Sequence, residues 1–151
     1  MNESDPVRMV DISEKTVSFR TAVAEGEIVL QPSTVEAIRT QSTKKGDVLT
    51  VSEIAGIQAA KKTAEIIPLC HQIPLTSVNI SFAFTEGRIH GTCTVKTTYS
   101  TGVEMEALVG VTTALLSIWD MVKYLEKDGG QYPVARLENI RVVLKEKREH
   151  A

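Results

Sequence analysis

Apolar and polar residues alternate with period two over residues 77–84 and again over 88–99. In the first run Val78, Ile80, Phe82 and Phe84 share a face; in the second Ile89, Cys93, Val95 and Tyr99 do. Thr85-Glu86-Gly87 joins them, so the pattern predicts a β-hairpin. Elsewhere the period lengthens. Residues 103–126 carry Leu108, Leu115, Leu116, Ile118 and Trp119 on more than one side, which predicts a long helix ended by Asp128-Gly129-Gly130. Residues 54–71 predict an amphipathic helix, stopped by Pro68, that delivers His71 just beyond its end. Within it Ile54, Ile57, Lys61 and Ala64 fall at helical spacing, placing Lys61 beside the apolar stripe and Lys62 about 100° away. Thr50-Val51-Ser52-Glu53 has the form of a capping box for that helix.

The flanking segments are shorter. A strand carrying Val17, Phe19 and Ile28, with a turn at Glu25-Gly26-Glu27, is followed by a helix opened by Pro32-Ser33-Thr34 with Val35 and Ile38 on one face. Residues 41–47 form a polar loop, and residues 137–144 a closing strand. Strands and helices mixed around an antiparallel hairpin predict an α+β sandwich with the helices on one face of the sheet. Residues 1–8 are polar and read as a flexible N-terminus, leaving residues 9–151 as a single domain.

Composition narrows the function. The 151 residues are 42% hydrophobic and 24% charged, ordinary values for a folded domain. A net charge of −2 gives no basic field to hold nucleic acid, so an anionic ligand must be held by a local cluster of cations. Cys70 and Cys93 form no CxxC and no disulfide framework, which suits a reducing compartment. No apolar run of spanning length and no signal-peptide core stand out. The reading is a cytoplasmic protein with neither a membrane nor a nucleic acid as partner.

Several residues are candidates for chemistry, each with a plainer alternative. Pro68 and Pro74 bracket Leu69-Cys70-His71-Gln72-Ile73, and a rigid loop of this kind can aim a histidine as well as merely house one. His71 has no partner at metal-ligand spacing, so no metal site is expected. Glu104 and Glu106 flank Met105 in a first helical turn, where acids also complement the helix dipole. Asp120 and Lys123 are i, i+3 neighbours, readable as a surface ion pair or as a coupled proton donor and acceptor if Trp119, Met121 and Tyr124 bury them. Lys44, Lys45, Lys61 and Arg20 are scattered cations with no glycine-rich phosphate loop. Glu106 and Asp120 are 14 positions apart on one helix, about 21 Å, too far to act on the same atoms within one chain. Either one of them is not functional or a second subunit completes the site.

Met9-Val10-Asp11-Ile12-Ser13, Lys45-Gly46-Asp47-Val48, residues 55–71, residues 101–108, Asp120-Met121-Val122-Lys123 and Lys127-Asp128 together resemble the MoaC family, the cyclic pyranopterin monophosphate synthases of molybdenum-cofactor (molybdopterin) biosynthesis. The resemblance covers nearly the whole chain, from Met9 to Val143. It implies a ferredoxin-like α+β fold and a homohexamer, a trimer of dimers with active sites between subunits. It also implies a lyase that converts 3′,8-cyclised dihydroguanosine triphosphate to cyclic pyranopterin monophosphate, a pterin, with release of pyrophosphate. By the same resemblance Asp120 and Lys123 are catalytic. Leu69, Cys70, His71, Met105 and Glu106 contact substrate, and Glu104, Lys45, Lys61, Arg20 and Asp11 complete the pocket. The reaction is a rearrangement that needs no redox cofactor, and Mg2+ can accompany the triphosphate. Members with a Lys-Ser-Gly-Gly-Lys-Ser-Gly-like tail differ from this chain, where Leu144 is followed by Lys145-Glu146-Lys147-Arg148-Glu149-His150-Ala151. A reading from another class is a non-catalytic nucleotide- or metabolite-sensing module. A single-strand RNA binder fits less well, because only Phe82 and Phe84 stand adjacent on the hairpin.

Overall fold

A computed structural model describes residues 6–149; residues 1–5, most of the predicted flexible N-terminus, and residues 150–151 lie outside it. Residues 6–8 are exposed and outside regular structure. In chain order the elements are β1 (Ser18–Val29), α1 (Pro32–Arg39), α2 (Val48–Lys61), α3 (Thr63–Ile66), β2 (Ser77–Thr85), β3 (Arg88–Tyr99), α4 (Glu104–Glu126) and β4 (Arg136–Glu149). The strands form one antiparallel sheet in the order β2-β3-β1-β4. This is the ferredoxin-like α+β arrangement, with the helices on one face.

The predicted hairpin forms as β2 and β3, with Ile80 opposite Cys93 and Phe84 opposite Ile89. The turn predicted at Glu25-Gly26-Glu27 does not form, because β1 runs straight through it. Ala22, Ala24, Gly26 and Ile28 alternate onto the helix-covered face, and Gly26 is small because a Cβ there would lie 2.9 Å from Ile140 and 3.0 Å from Leu115. Glu25 and Glu27 point to the open face. There Glu25 accepts from His90 (3.1 Å) and Arg141 (2.9 Å), and Glu27 accepts from Arg88 (2.7 Å).

The helix predicted over residues 54–71 begins earlier and breaks. Asp47, rather than Thr50, is the N-cap: its carboxylate accepts from the Thr50 amide (3.1 Å) and hydroxyl (2.8 Å). The break falls at Lys62, where the Thr63 hydroxyl bonds back to the Ala60 carbonyl (2.9 Å) and α3 starts. The buried face is only partly the expected one, with Ile57 packed against the core as expected. Ser52, Gly56, Ala59 and Ala60 face inward, whereas Ile54 is exposed. A Cβ on Gly56 would meet Ile80 at 2.3 Å and the Gly110 carbonyl at 2.7 Å, so small residues let α2 lie close against α4.

α4 forms as predicted and is the core helix, burying Ala107, Val111, Ala114, Leu115, Ile118 and Val122. It is also the one helix among the described residues long and apolar enough to cross a membrane, but half of its most apolar stretch is buried within the molecule. Near its far end the buried Glu126 takes the role of a missing cap for α1, accepting from the Gln31 amide (3.2 Å) and from the Thr34 hydroxyl. β4 is longer than expected. Lys145 to Glu149 continue the strand beside β1 rather than leaving the sheet as a tail.

Candidate active site

The first group of candidates meets at the N-terminal end of α4. Three segments converge there: the Pro-bracketed loop carrying Leu69, Cys70 and His71, the Thr101-Gly102 turn leading into α4, and residues 10–15. They enclose a cavity of about 340 Å3 lined by Leu69, Cys70, His71, Glu104, Met105 and Glu106, with Lys15 at its wall. Glu106 is 4% exposed. Burial pushes its carboxyl above the usual carboxylate range, its own backbone amide opposes the shift, and neighbouring Glu104 adds to it. The Cys70 thiol is also raised, by burial first and then by the Glu106 charge, so it is not set up as a nucleophile.

His71 is held by the N-terminal segment, its Nε2 donating to the Val10 carbonyl at 2.6 Å. Asp11 sits in the same segment, exposed, its carboxyl lowered chiefly by the Ser13 amide, which donates to it at 2.9 Å. Glu104 reaches Lys145 of β4 (3.7 Å). Arg20, on the helix-covered face of β1, is buried and donates from Nε to the Tyr99 carbonyl (3.3 Å), just ahead of the Thr101-Gly102 turn. Lys61 lies apart, on a second cavity of about 400 Å3 that shares Ile73 as a wall with the first.

The second group sits near the other end of α4. Asp120 is flanked by two ammonium groups, Lys123 at 3.2 Å and Lys45 at 3.5 Å, and the Lys45 Nζ also donates to the Asp120 backbone carbonyl (3.3 Å). The loop before α2 brings Lys45 here, positioned in part by the Lys44 amide donating to the Tyr124 hydroxyl (2.7 Å). The burial expected from Trp119, Met121 and Tyr124 is absent in the protomer, where the Asp120 side chain is 61% exposed. Its carboxyl is consequently lowered, first by the hydrogen bond from Lys123 and then by the charge of Lys45, instead of being moved toward neutrality. Beside it Leu116, Trp119 and Tyr132 line a shallow apolar groove, with the two rings edge to face at 5.3 Å.

Both groups lie on one helix, and the 14 residues from Glu106 to Asp120 separate them by about 21 Å. The sequence did not point to Lys15, Tyr132 or Lys145. Lys145 becomes visible only once the β1–β4 register is known. Among the described residues no cluster of three His, Cys, Asp or Glu side chains is placed to hold a metal ion.

A ferredoxin-like sheet with a buried carboxylate in a small-molecule cavity, and a separate carboxylate between two lysines, defines a class: an α+β enzyme for a polar, charged metabolite. Residues 9–148 match the MoaC family, and the chain belongs to that family. It is 58% identical over 144 residues to a protein of Thermococcus kodakarensis named probable cyclic pyranopterin monophosphate synthase, covering 95% of this chain and 92% of the relative. A Pyrococcus abyssi protein of the same name is 59% identical over 140 residues, 92% of this chain and 88% of its own. A Methanothermobacter thermautotrophicus protein, named probable cyclic pyranopterin monophosphate synthase accessory protein, is 54% identical over 95% of this chain and 91% of its own.

Proposed function

We propose that this chain converts 3′,8-cyclised dihydroguanosine triphosphate to cyclic pyranopterin monophosphate and pyrophosphate, in a site assembled from two protomers. One observation supports the two-chain site above the others: the cavity of His71 and Glu106 and the Asp120–Lys123–Lys45 cluster occupy opposite ends of α4, and each lacks what the other has. The first offers acceptors for the guanidine-like edge of the base in Glu104 and Glu106, but its His71 Nε2 is already engaged. The second offers a proton acceptor and donors, but it lies open to solvent until something covers it.

Asp120, held ionised by its two ammonium neighbours, accepts a proton from the substrate, and Lys123 returns one as the guanine-derived imidazole opens and is rebuilt as a pterin. A ribose hydroxyl then attacks the innermost phosphate and pyrophosphate leaves. Lys45, Lys61 and Arg20, with His71, neutralise the charge that grows on the leaving group. The rearrangement calls for no redox cofactor, and any Mg2+ enters with the triphosphate. Apolar side chains exposed on the protomer, Val51 and Ile54 on α2, Leu116 on α4 and Val142 to Leu144 on β4, are surface for subunits to cover, in keeping with a hexamer. The free thiols Cys70 and Cys93, the latter raised by burial to about 12, fit a cytoplasmic setting.

The test is release of pyrophosphate from the cyclised triphosphate. Asp120→Asn is expected to lower kcat by about 10²–10⁴-fold with substrate binding retained, because the substrate's charge is held by other residues. Turnover near that of the unaltered protein would remove Asp120 from the chemistry. A protein that binds the compound and returns it unchanged would be a sensor.

A further inference from the structure

Lys44 and Lys45 are adjacent in the loop between α1 and α2, yet they meet different partners. The Lys45 Nζ lies 3.5 Å from the Asp120 carboxylate and donates to the Asp120 carbonyl at 3.3 Å. The Lys44 amide donates to the Tyr124 hydroxyl at 2.7 Å, and the Lys44 ammonium stands over the Tyr124 ring, 5.0 Å from its centroid. Asp120 and Tyr124 are i, i+4 neighbours on α4, about 6 Å apart along its axis. Two successive loop residues therefore meet two successive turns of one helix face. Within the loop the Thr43 hydroxyl donates to the Gly46 carbonyl (2.8 Å), and Gly46 turns the chain at φ 98° before Asp47 caps α2. Those contacts shape the loop and join it to α2. Among the described residues, the bond from the Lys44 amide to Tyr124 is the one hydrogen bond that ties its backbone to α4.

We propose that Tyr124 is a positioning residue for the reaction: by fixing the Lys44 backbone to α4, it holds the Lys45 ammonium against the Asp120 carboxylate. Its bearing on the reaction rests on the reading of Asp120 as the proton acceptor, a role that requires the carboxylate to be ionised. Among the described residues two charged groups face Asp120, Lys123 from its own helix and Lys45 from the loop, while Tyr132, from the segment before β4, borders the adjoining groove. The Asp120 carboxyl is lowered first by the hydrogen bond from Lys123 and next by the charge of Lys45. Lys123 is placed by helical spacing alone. Lys45 comes from another segment on a long side chain, and confining it costs rotamer entropy. A loop free to drift would leave that ammonium in water, where salt screens it from the carboxylate. Tyr124 is half-buried and both lysines are exposed, so the contact matters more for placement than for the stability of the fold.

Tyr124→Phe keeps the ring and removes only the hydroxyl, and an unchanged circular-dichroism spectrum verifies that the variant folds. The direct readout is an NMR titration of the aspartate carboxyls in the full-length protein, the Asp120 signal being the one lost in Asp120→Asn. Tyr124→Phe is expected to raise the Asp120 midpoint toward the ordinary aspartate range, and Lys45→Gln to raise it as well. In the Lys45→Gln background Tyr124→Phe should add nothing, because its effect passes through Lys45. In the pyrophosphate assay Tyr124→Phe should lower kcat/KM by about threefold to tenfold, and the acid limb of the pH profile should move to higher pH. An Asp120 midpoint that stays or falls in Tyr124→Phe overturns the proposal. So does an equal rise in the Lys45→Gln background, since Tyr124 would then act on Asp120 without Lys45. A raised midpoint in a protein that releases no pyrophosphate would uphold the positioning of Lys45 while overturning the proposed reaction, so the two failures are distinguishable.

Discussion

Glu106 shows how one residue's surroundings set its chemistry. Two positions away Glu104 keeps part of its side chain in water and pairs with Lys145, whereas Glu106 is enclosed with its carboxyl raised by burial. A carboxyl whose folded-state pKa lies above its unfolded value stabilises the fold fully below the unfolded value of about 4.5, and that stabilisation is lost as pH rises through the folded value. Glu106→Gln, which keeps the shape and cannot ionise, should therefore melt with the unaltered protein at about pH 4 and above it at about pH 8. Thermal unfolding across that range measures the gap. A gap of the opposite sign, or one that does not widen with pH, would place a favourable partner against the ionised carboxylate.

At the scale of elements, α2 and α4 meet through small residues. Gly56 lies against Gly110 and Ala114, where a Cβ would press on the Gly110 backbone carbonyl at 2.7 Å and on Ile80 at 2.3 Å. A backbone oxygen cannot step aside as a flexible side chain can. Gly56→Ala should thus destabilise the protein by about 1–3 kcal/mol through overpacking, despite the better helix propensity of alanine, as read from the denaturant midpoint. An unchanged or raised midpoint would show that the helices can separate at little cost. The same contact explains why Ile54 of α2 is exposed. Large apolar residues at helical spacing point to Ile54 and Ile57; Ile57 does pack against the core, but the close crossing turns the smallest side chains inward and leaves Ile54 exposed. The hairpin and α4 were legible because their periods are long and clean. The strand through Glu25-Gly26-Glu27 was not, because the cross-strand partners that make acids acceptable there, Arg88, His90 and Arg141, come from distant parts of the chain.

For the whole molecule, the proposed composite site requires the two clusters at opposite ends of α4 to come together across a subunit interface. If a site draws His71 from one protomer and Asp120 from its neighbour, His71→Ala and Asp120→Ala are each inactive alone. Mixing them, with subunit exchange, should restore about a quarter of full activity, because random pairing unites both intact residues in one site of four. No recovery after demonstrated exchange would place both residues in a single protomer's site. The protein should also sediment as an oligomer at micromolar concentration, and a fully active monomer would overturn the composite site.

The amino-acid sequence by itself determined the α+β class, the hairpin and the core helix, and it nominated the candidate residues for chemistry. These depend on local periodicity, on Pro and Gly positions and on contiguous motifs, all readable within a short window of chain. Tertiary structure decided the rest. It set which face of α2 is buried, that Lys45 rather than Lys61 joins Asp120, that Asp120 stays exposed while Glu106 does not, and that Lys145 and Lys147 come level with Arg20. Each of these depends on contacts between residues far apart in sequence, where strand register and helix crossing, not local preference, fix the energies of burial and charge.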